Sequence, residues 1–338
     1  MLPYGVIRYL ARFLPSGRHI APLVLGVISV QCGSNPAAPT PLPTAITLTC
    51  PAPTAVASPS GLPLTVTYAA PLAVGGTAPV TTLCSPPSGA IYAIGATVVT
   101  CSAVDTRQQN ASCSFSVTVT APPKLSATRY VSFGDSITEG LPHTLLPSLL
   151  DPAPAGSYPA VLQSLLRARY TAQTVDVLDE GVGGELVSAG LARLPAVLNL
   201  DAAGALLLLE GANDLNAYGT AGPAIILSGL RQMVRNGRGR SLPVFVATLL
   251  PERAGGRASY PELVPPTNDA IRAMAASEGA VLVDLYLAFG GTPDAGLISS
   301  DGLHPTADGN ARIAETFFAA IRTRLEIAST SALGSSRW

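Results

Sequence analysis

The chain has 338 residues, a formal net charge of −1 from 20 Lys and Arg against 21 Asp and Glu, 12% charged residues and 48% hydrophobic ones. That balance, with no block of like charge, excludes a nucleic-acid surface or a polybasic membrane patch. The apolar content excludes a chain disordered throughout for want of a core, and the length suffices for two domains.

At the N-terminus Arg8, Arg12 and Arg18 precede an uncharged stretch from Ile20 to Val30. This stretch is too short to span a bilayer as a helix and has the form of an export signal over residues 1–31. Gln31-Cys32-Gly33-Ser34 follows. A cysteine directly after a signal core resembles a bacterial lipoprotein anchor, although Ser29-Val30-Gln31 lacks the small residue usual beside it. Cys32 is therefore read either as a lipid attachment point or as an incidental thiol near a cleavage site. The expected location is outside the bacterial cytoplasm: periplasm, outer surface or medium. Residues 32–44, with Pro36, Pro39, Pro41 and Pro43, read as a semi-rigid linker.

Residues 45–121 change texture. Leu64–Tyr68, Thr97–Cys101 and Ser114–Val119 are Thr- and Val-rich runs separated by Pro, Gly and Ser, the pattern of a small all-β sandwich. Cys50, Cys84, Cys101 and Cys113 all fall here, and no cysteine follows. In an exported chain an even set of four implies up to two disulfides, in any of three connectivities; free thiols buried as small hydrophobes are the alternative. The segment resembles a hyalin-repeat (HYR) module through Thr49-Cys50-Pro51, the run Gly75–Thr81, Thr100–Asp105 and Cys113–Val119. That resemblance implies an immunoglobulin-like fold used for adhesion, spacing or glycan contact.

After a linker at 122–128, residues 129–328 alternate strand and helix, ahead of a tail at 329–338. Strands are expected at Tyr130–Phe133, Val175–Leu178, Ala205–Leu209, Val244–Leu249 and Val281–Leu285. Helices are expected at Tyr158–Tyr170, Leu186–Leu198, Pro223–Val234, Asn268–Glu278 and Thr306–Arg324. Near-continuous apolar strands between helices mean a parallel sheet covered on both faces, with ligands bound outside the carboxyl ends of its strands.

Four short blocks lie where that rule puts a site. Gly134-Asp135-Ser136 offers a hydroxyl after the first strand, and Gly183-Gly184-Glu185 an unobstructed backbone N–H after the second. Gly211-Ala212-Asn213-Asp214 adds a side-chain amide after the third. Asp301-Gly302-Leu303-His304-Pro305 holds a base three residues from a carboxylate. Nucleophile, base, orienting acid and three oxyanion donors (Ser136 N–H, Gly184 N–H and Asn213) are the parts of acyl transfer through a serine ester. Alone, each block has a plainer reading. Ser136 with Glu139 forms a capping box, Gly183-Gly184 a bare turn, Asn213-Asp214 an Asx turn, and Asp301 to His304 a helix-start cap. His19 lies in the signal, and His143 is read as a surface or substrate-loop residue.

Residues 129–325 resemble the SGNH (GDSL) hydrolases, with Ser136, Gly184, Asn213 and His304 at the name-giving positions and Asp301 as the carboxylate. Gly134, Asp135, Gly211 and Asp214 support the motifs, and Gly190–Pro195 is similar to arylesterase and lysophospholipase-type members. The resemblance implies a flavodoxin-like three-layer α/β/α fold and ester or thioester hydrolysis without metal or cofactor. Asp179-Glu180 departs from the Asn and Arg often found before the glycines. A histidine base must be neutral, so activity is expected to fall on the acid side. The loops Leu141–Ser157, Glu252–Pro266 and Gly290–Ser299 are expected to shape a pocket without a charged clamp. Such a pocket suits short- to medium-chain acyl esters; the alternatives are polysaccharide deacetylation and a non-catalytic adhesion protein. Chain length, alcohol part, oligomeric state and the ligand of the β module are not legible.

Overall fold

The computed structural model describes residues 44–140 and 156–327. The signal reading, residues 32–43 of the first linker with Cys32, His19, His143, most of the loop Leu141–Ser157 and the tail lie outside the described residues.

The described residues from Thr44 to Thr120 form eight strands: β1 (Thr47–Thr49), β2 (Thr54–Ala57), β3 (Leu64–Thr65), β4 (Leu72–Val74), β5 (Thr81–Ser85), β6 (Ile91–Tyr92), β7 (Gly95–Val104) and β8 (Asn110–Thr120). A four-stranded sheet runs β2-β8-β7-β5, and the pairs β1-β4 and β3-β6 accompany it. Alternation in the long strands points Val99 and Cys101 of β7, and Phe115, Val117 and Val119 of β8, into a core with Val66 and Tyr92. The run expected as one strand at Leu64–Tyr68 leaves its ladder after Thr65. Beyond it, Val66 N–H donates to the Ala90 carbonyl at 3.1 Å and Tyr68 N–H to the Ser88 hydroxyl at 3.0 Å. Disulfides join Cys50 to Cys113 and Cys84 to Cys101. Ladder pairing sets Cys101 opposite both Cys84 and Cys113, so three of the four thiols share one row across the sheet.

A short pair, β9 (Lys124–Leu125) with β15 (Glu326–Ile327), brackets the α/β portion. Between them the parallel strands are β10 (Arg129–Gly134), β11 (Asp176–Gly181), β12 (Ala205–Leu209), β13 (Val244–Ala247) and β14 (Val281–Val283). Their order is β11-β10-β12-β13-β14, that is 2-1-3-4-5, with the direction of travel reversing between β10 and β12. The helices are α1 (Ser136–Glu139), α2 (Tyr158–Arg169), α3 (Val187–Leu200), α4 (Ala212–Tyr218), α5 (Gly222–Gly239), α6 (Val264–Glu278), α7 (Leu285–Ala288) and α8 (Ala307–Leu325).

The apolar strands explain the three layers. Leu207, Leu209 and Phe245 face α2 and α8 through Leu162, Leu166, Ile313 and Phe317. Leu206, Leu208, Val244 and Val246 face α3, α5 and α6 through Leu194, Leu230, Met233 and Ile271. Each such fully buried side chain contributes about 1.5–3 kcal/mol relative to exposure. Helix α6 begins four residues earlier than expected. Pro265 and Pro266 fall in its first turn, where a missing N–H leaves nothing unbonded. Thr306 caps α8, its hydroxyl accepting from Gly309 N–H at 3.1 Å.

Opening the 63-residue Cys50–Cys113 span should destabilise the protein by about 4 kcal/mol, and opening the 17-residue Cys84–Cys101 span by about 3 kcal/mol. Urea unfolding of the two double Cys→Ala variants measures both, and the first should have the lower midpoint.

Candidate active site

The chain reversal between β10 and β12 opens a crevice at the strand ends, and the four blocks converge there. Gly134 ends β10 so close to β12 that a Cβ on it would stand 2.0 Å from the Leu209 carbonyl oxygen. Asp135 follows as the N-cap of α1, its carboxylate accepting from Ile137 N–H at 2.9 Å. The plainer capping-box reading of Ser136 and Glu139 does not hold: the cap is one residue earlier, and the Ser136 hydroxyl faces His304. Ser136 is 5% exposed.

Ser136 Oγ lies 2.8 Å from His304 Nε2, and His304 Nδ1 lies 2.6 Å from Asp301 Oδ2. Asp301 Oδ1 accepts from the Ser299 hydroxyl at 2.7 Å and from the N–H groups of Leu303 and His304 at 3.0 Å each. Burial raises the Asp301 pKa, but these donors and the imidazole outweigh it and hold the carboxyl well below the usual carboxylate range. An ionised Asp301 only accepts, so a neutral ring donates from Nδ1 and leaves Nε2 to take the serine proton.

Gly184, with φ +76°, lines the same cavity as Ser136 and Asn213. Asn213 and Asp214 at the start of α4 clamp the segment beside it. One Asn213 amide N–H donates to the Glu185 carbonyl at 3.0 Å, and Asp214 Oδ2 accepts from Val187 N–H at 3.0 Å. Helix α3 has no side-chain cap of its own, so Asp214 serves its first turn from outside. The remaining amide N–H of Asn213 is available to the cavity. Gly211 turns into α4 with φ +123°.

Arg193, the single charge in α3, carries a role that the motif reading did not assign. Its Nε donates to Glu185 Oε1 at 2.8 Å, and its Nη2 to Glu185 Oε2 at 2.8 Å and the Glu180 carbonyl at 2.6 Å. A longer contact of 3.4 Å reaches the Gly134 carbonyl, and the guanidinium stacks 3.9 Å over the Phe133 ring. Glu180, flagged as a departure, joins this network through its side chain at 3.4 Å. A lone arginine in an apolar helix, eight residues after Glu185, was the available signal.

The cavity measures about 220 Å³ and is lined by Ser136, Gly184, Asn213, Asn216, Arg257, Leu303 and His304. Arg257 corrects the expectation of loops without a charged group; none of the lining residues comes from Gly290–Ser299.

Beneath the crevice lies a group of buried acids. Burial, together with Asp214 and Glu185 nearby, pushes the Asp135 carboxyl up to about 7 despite its bond from Ile137 N–H. Burial and Asp135 push Glu252 up to about 8, and burial holds Glu210 well above its ordinary value. Neither carboxylate oxygen of Glu210 or of Glu252 meets a partner among the described residues.

Residues 132–312, more than half of the chain, match the model of the GDSL-like Lipase/Acylhydrolase family. Esterase TesA of Pseudomonas aeruginosa is 28% identical over 166 residues, covering 48% of this chain and 78% of that protein. Among solved structures, a lipase/acylhydrolase from Enterococcus faecalis is 23% identical with a TM-score of 0.48, covering 58% of this chain and 96% of that one. Axe2, an acetylxylan esterase from Geobacillus stearothermophilus, is 20% identical with a TM-score of 0.49, covering 57% and 94%.

The raised acids set a pH dependence of stability. A carboxyl with a folded pKa above its unfolded value, near 4, binds more protons folded than unfolded, so its contribution falls as pH rises. For Asp135 and Glu252 the window runs from about pH 4 to about 7 and 8 respectively. The depressed Asp301 acts only below about pH 4. The urea midpoint should therefore fall from pH 5 to pH 8, and Glu252→Gln should flatten that slope. An unchanged slope in the variant would contradict the assignment to Glu252.

Proposed function

The chain belongs to the GDSL-like Lipase/Acylhydrolase family and hydrolyses ester bonds, and on that premise we propose that it is a serine carboxylesterase of short-chain acyl esters worked by Ser136, His304 and Asp301. The observation that carries this reading is the pair of contacts from Ser136 Oγ to His304 Nε2 at 2.8 Å and from His304 Nδ1 to Asp301 Oδ2 at 2.6 Å.

His304 takes the Ser136 proton as Oγ attacks the ester carbonyl. The negative charge then gathering on the carbonyl oxygen is held by the N–H groups of Ser136 and Gly184 and the second amide N–H of Asn213. As the tetrahedral intermediate collapses, His304 gives its proton to the leaving alcohol and the acyl group stays on Ser136. A water deprotonated by His304 releases the acid. Asp301 keeps the ring in the required tautomer and stabilises its cationic form. A cavity of about 220 Å³ is smaller than the range for drug-sized ligands, which favours acetyl and similarly short acyl groups. Its mostly polar lining also suits an acetyl group carried on a polysaccharide, the second reading retained. The all-β unit contributes no group to this cavity and is read as an immunoglobulin-like spacer. Its two disulfides fit an exported chain.

Turnover of p-nitrophenyl acetate should fall by about 10⁴-fold or more in Ser136→Ala, and labelling by a fluorophosphonate should vanish with it. Normal turnover by that variant would remove Ser136 as nucleophile. The Arg193 brace makes a separate demand. Arg193→Lys retains the charge but not the fork, and should lower kcat by about 10–100-fold with little change in KM. Affinity for a trifluoromethyl ketone should fall in parallel with kcat, because that inhibitor loads the oxyanion donors.

A further inference from the structure

Arg257 reaches the cavity from the loop after β13, and its backbone is fixed from two sides. Its N–H donates to the Asp301 carbonyl at 2.9 Å, and its own carbonyl accepts from the Asn216 amide of α4 at 2.9 Å. Ser259 N–H donates back to Asn216 Oδ1 at 2.7 Å, and Arg253 N–H to the Gly302 carbonyl at 2.9 Å. The loop is thus strapped both to the segment that carries Asp301 and His304 and to the helix that carries Asn213.

The side chain is less engaged than the backbone. Arg257 Nε stands 3.8 Å from Asp301 Oδ2, beyond hydrogen-bonding distance, and the side chain is 51% exposed. Asp301 does not need it, since both carboxylate oxygens already have closer donors. Among the described residues the guanidinium makes no hydrogen bond, and its planar fork matches a carboxylate or phosphate with two parallel bonds. Its location decides which half of the ester it meets. His304 must protonate the leaving oxygen, so the alcohol part lies on the histidine side of the cavity, where Arg257 stands.

We propose that Arg257 is a specificity residue that recognises an oxyanion, a carboxylate or a phosphate, carried by the alcohol part of the ester. This deepens the esterase reading and depends on it. Half exposure leaves the attraction open to screening, so the preference it confers is modest and weakens with salt. A lysine in its place would keep the charge and lose the two-pronged geometry.

The test compares 4-acetoxybenzoate and 4-acetoxyphenyl phosphate with the neutral isostere 4-acetoxybenzamide, at low and high salt. The wild-type protein should favour at least one anionic ester in kcat/KM. In Arg257→Gln the anionic-to-neutral ratio should fall by roughly tenfold, and in Arg257→Lys by less. Preference for the carboxylate ester alone would name a uronate-like alcohol, and for the phosphate ester alone a phosphorylated one. Equal losses on charged and neutral esters would overturn the proposal and assign Arg257 to support of Asp301. Hydrolysis of all three by the wild type at equal efficiency would overturn it too, while leaving the esterase reading intact. Hydrolysis of none would overturn both.

Discussion

The guanidinium of Arg193 and the carboxylate of Glu185 meet as a two-pronged pair, with Glu185 5% exposed at its side chain and Arg193 23%. Three segments are fixed through it: the paired ends of β10 and β11, and the turn that carries Gly184, which belongs to neither strand. The backbone of Glu185 extends the same node, because its carbonyl receives the amide of Asn213 from α4. Every proposed oxyanion donor is thereby within two residues of a group in this network. Removing one partner of such a pair costs about 3–5 kcal/mol, chiefly because the other is left buried and charged. The node thus couples the integrity of the crevice to its geometry: the donors cannot drift independently.

The floor of the crevice follows a different rule. Asp135, Glu210 and Glu252 are buried, and Asp135 opposes the ionisation of the other two. Arg193 is already committed to Glu185, so protons are the remaining way to limit charge there. The raised acids contrast with Asp301, whose four donors hold its carboxyl ionised beside the histidine. Raising the acids below and depressing the one beside the base lets a chain rich in carboxylates at this end gather its ionised charge in one place.

Much of this was legible in the residues. The three inner strands β10, β12 and β13 announced themselves because both faces of each are buried, which leaves no polar alternation to read, whereas the edge strands β11 and β14 are only partly covered. Ser136, Gly184, Asn213, Asp301 and His304 stood out because each follows a strand or lies in a tight loop. Other features were hidden for physical reasons. The cap at Asp135 was obscured because Ser136 and Glu139 satisfy the same local pattern. The start of α6 was masked by Pro265-Pro266, which are acceptable only in a first turn. The disulfide pairing could not be read because Cys101 lies opposite two cysteines at once. Arg257 and Asn216 met only through a fold that brings residues 41 positions apart into contact.

The pairing of β9 with β15 sets the entry and exit of the α/β portion side by side, and Arg169 and Tyr170 secure it through Glu326 at 2.7 and 2.6 Å. A portion whose two ends adjoin can be grafted into a loop of another protein, or given new termini elsewhere on its surface, without stretching its sheet. The same closure has a mechanical meaning. A force applied across these ends would be taken first by this two-residue clasp and its arginine, and the strands that hold the crevice would feel it only after the clasp had opened.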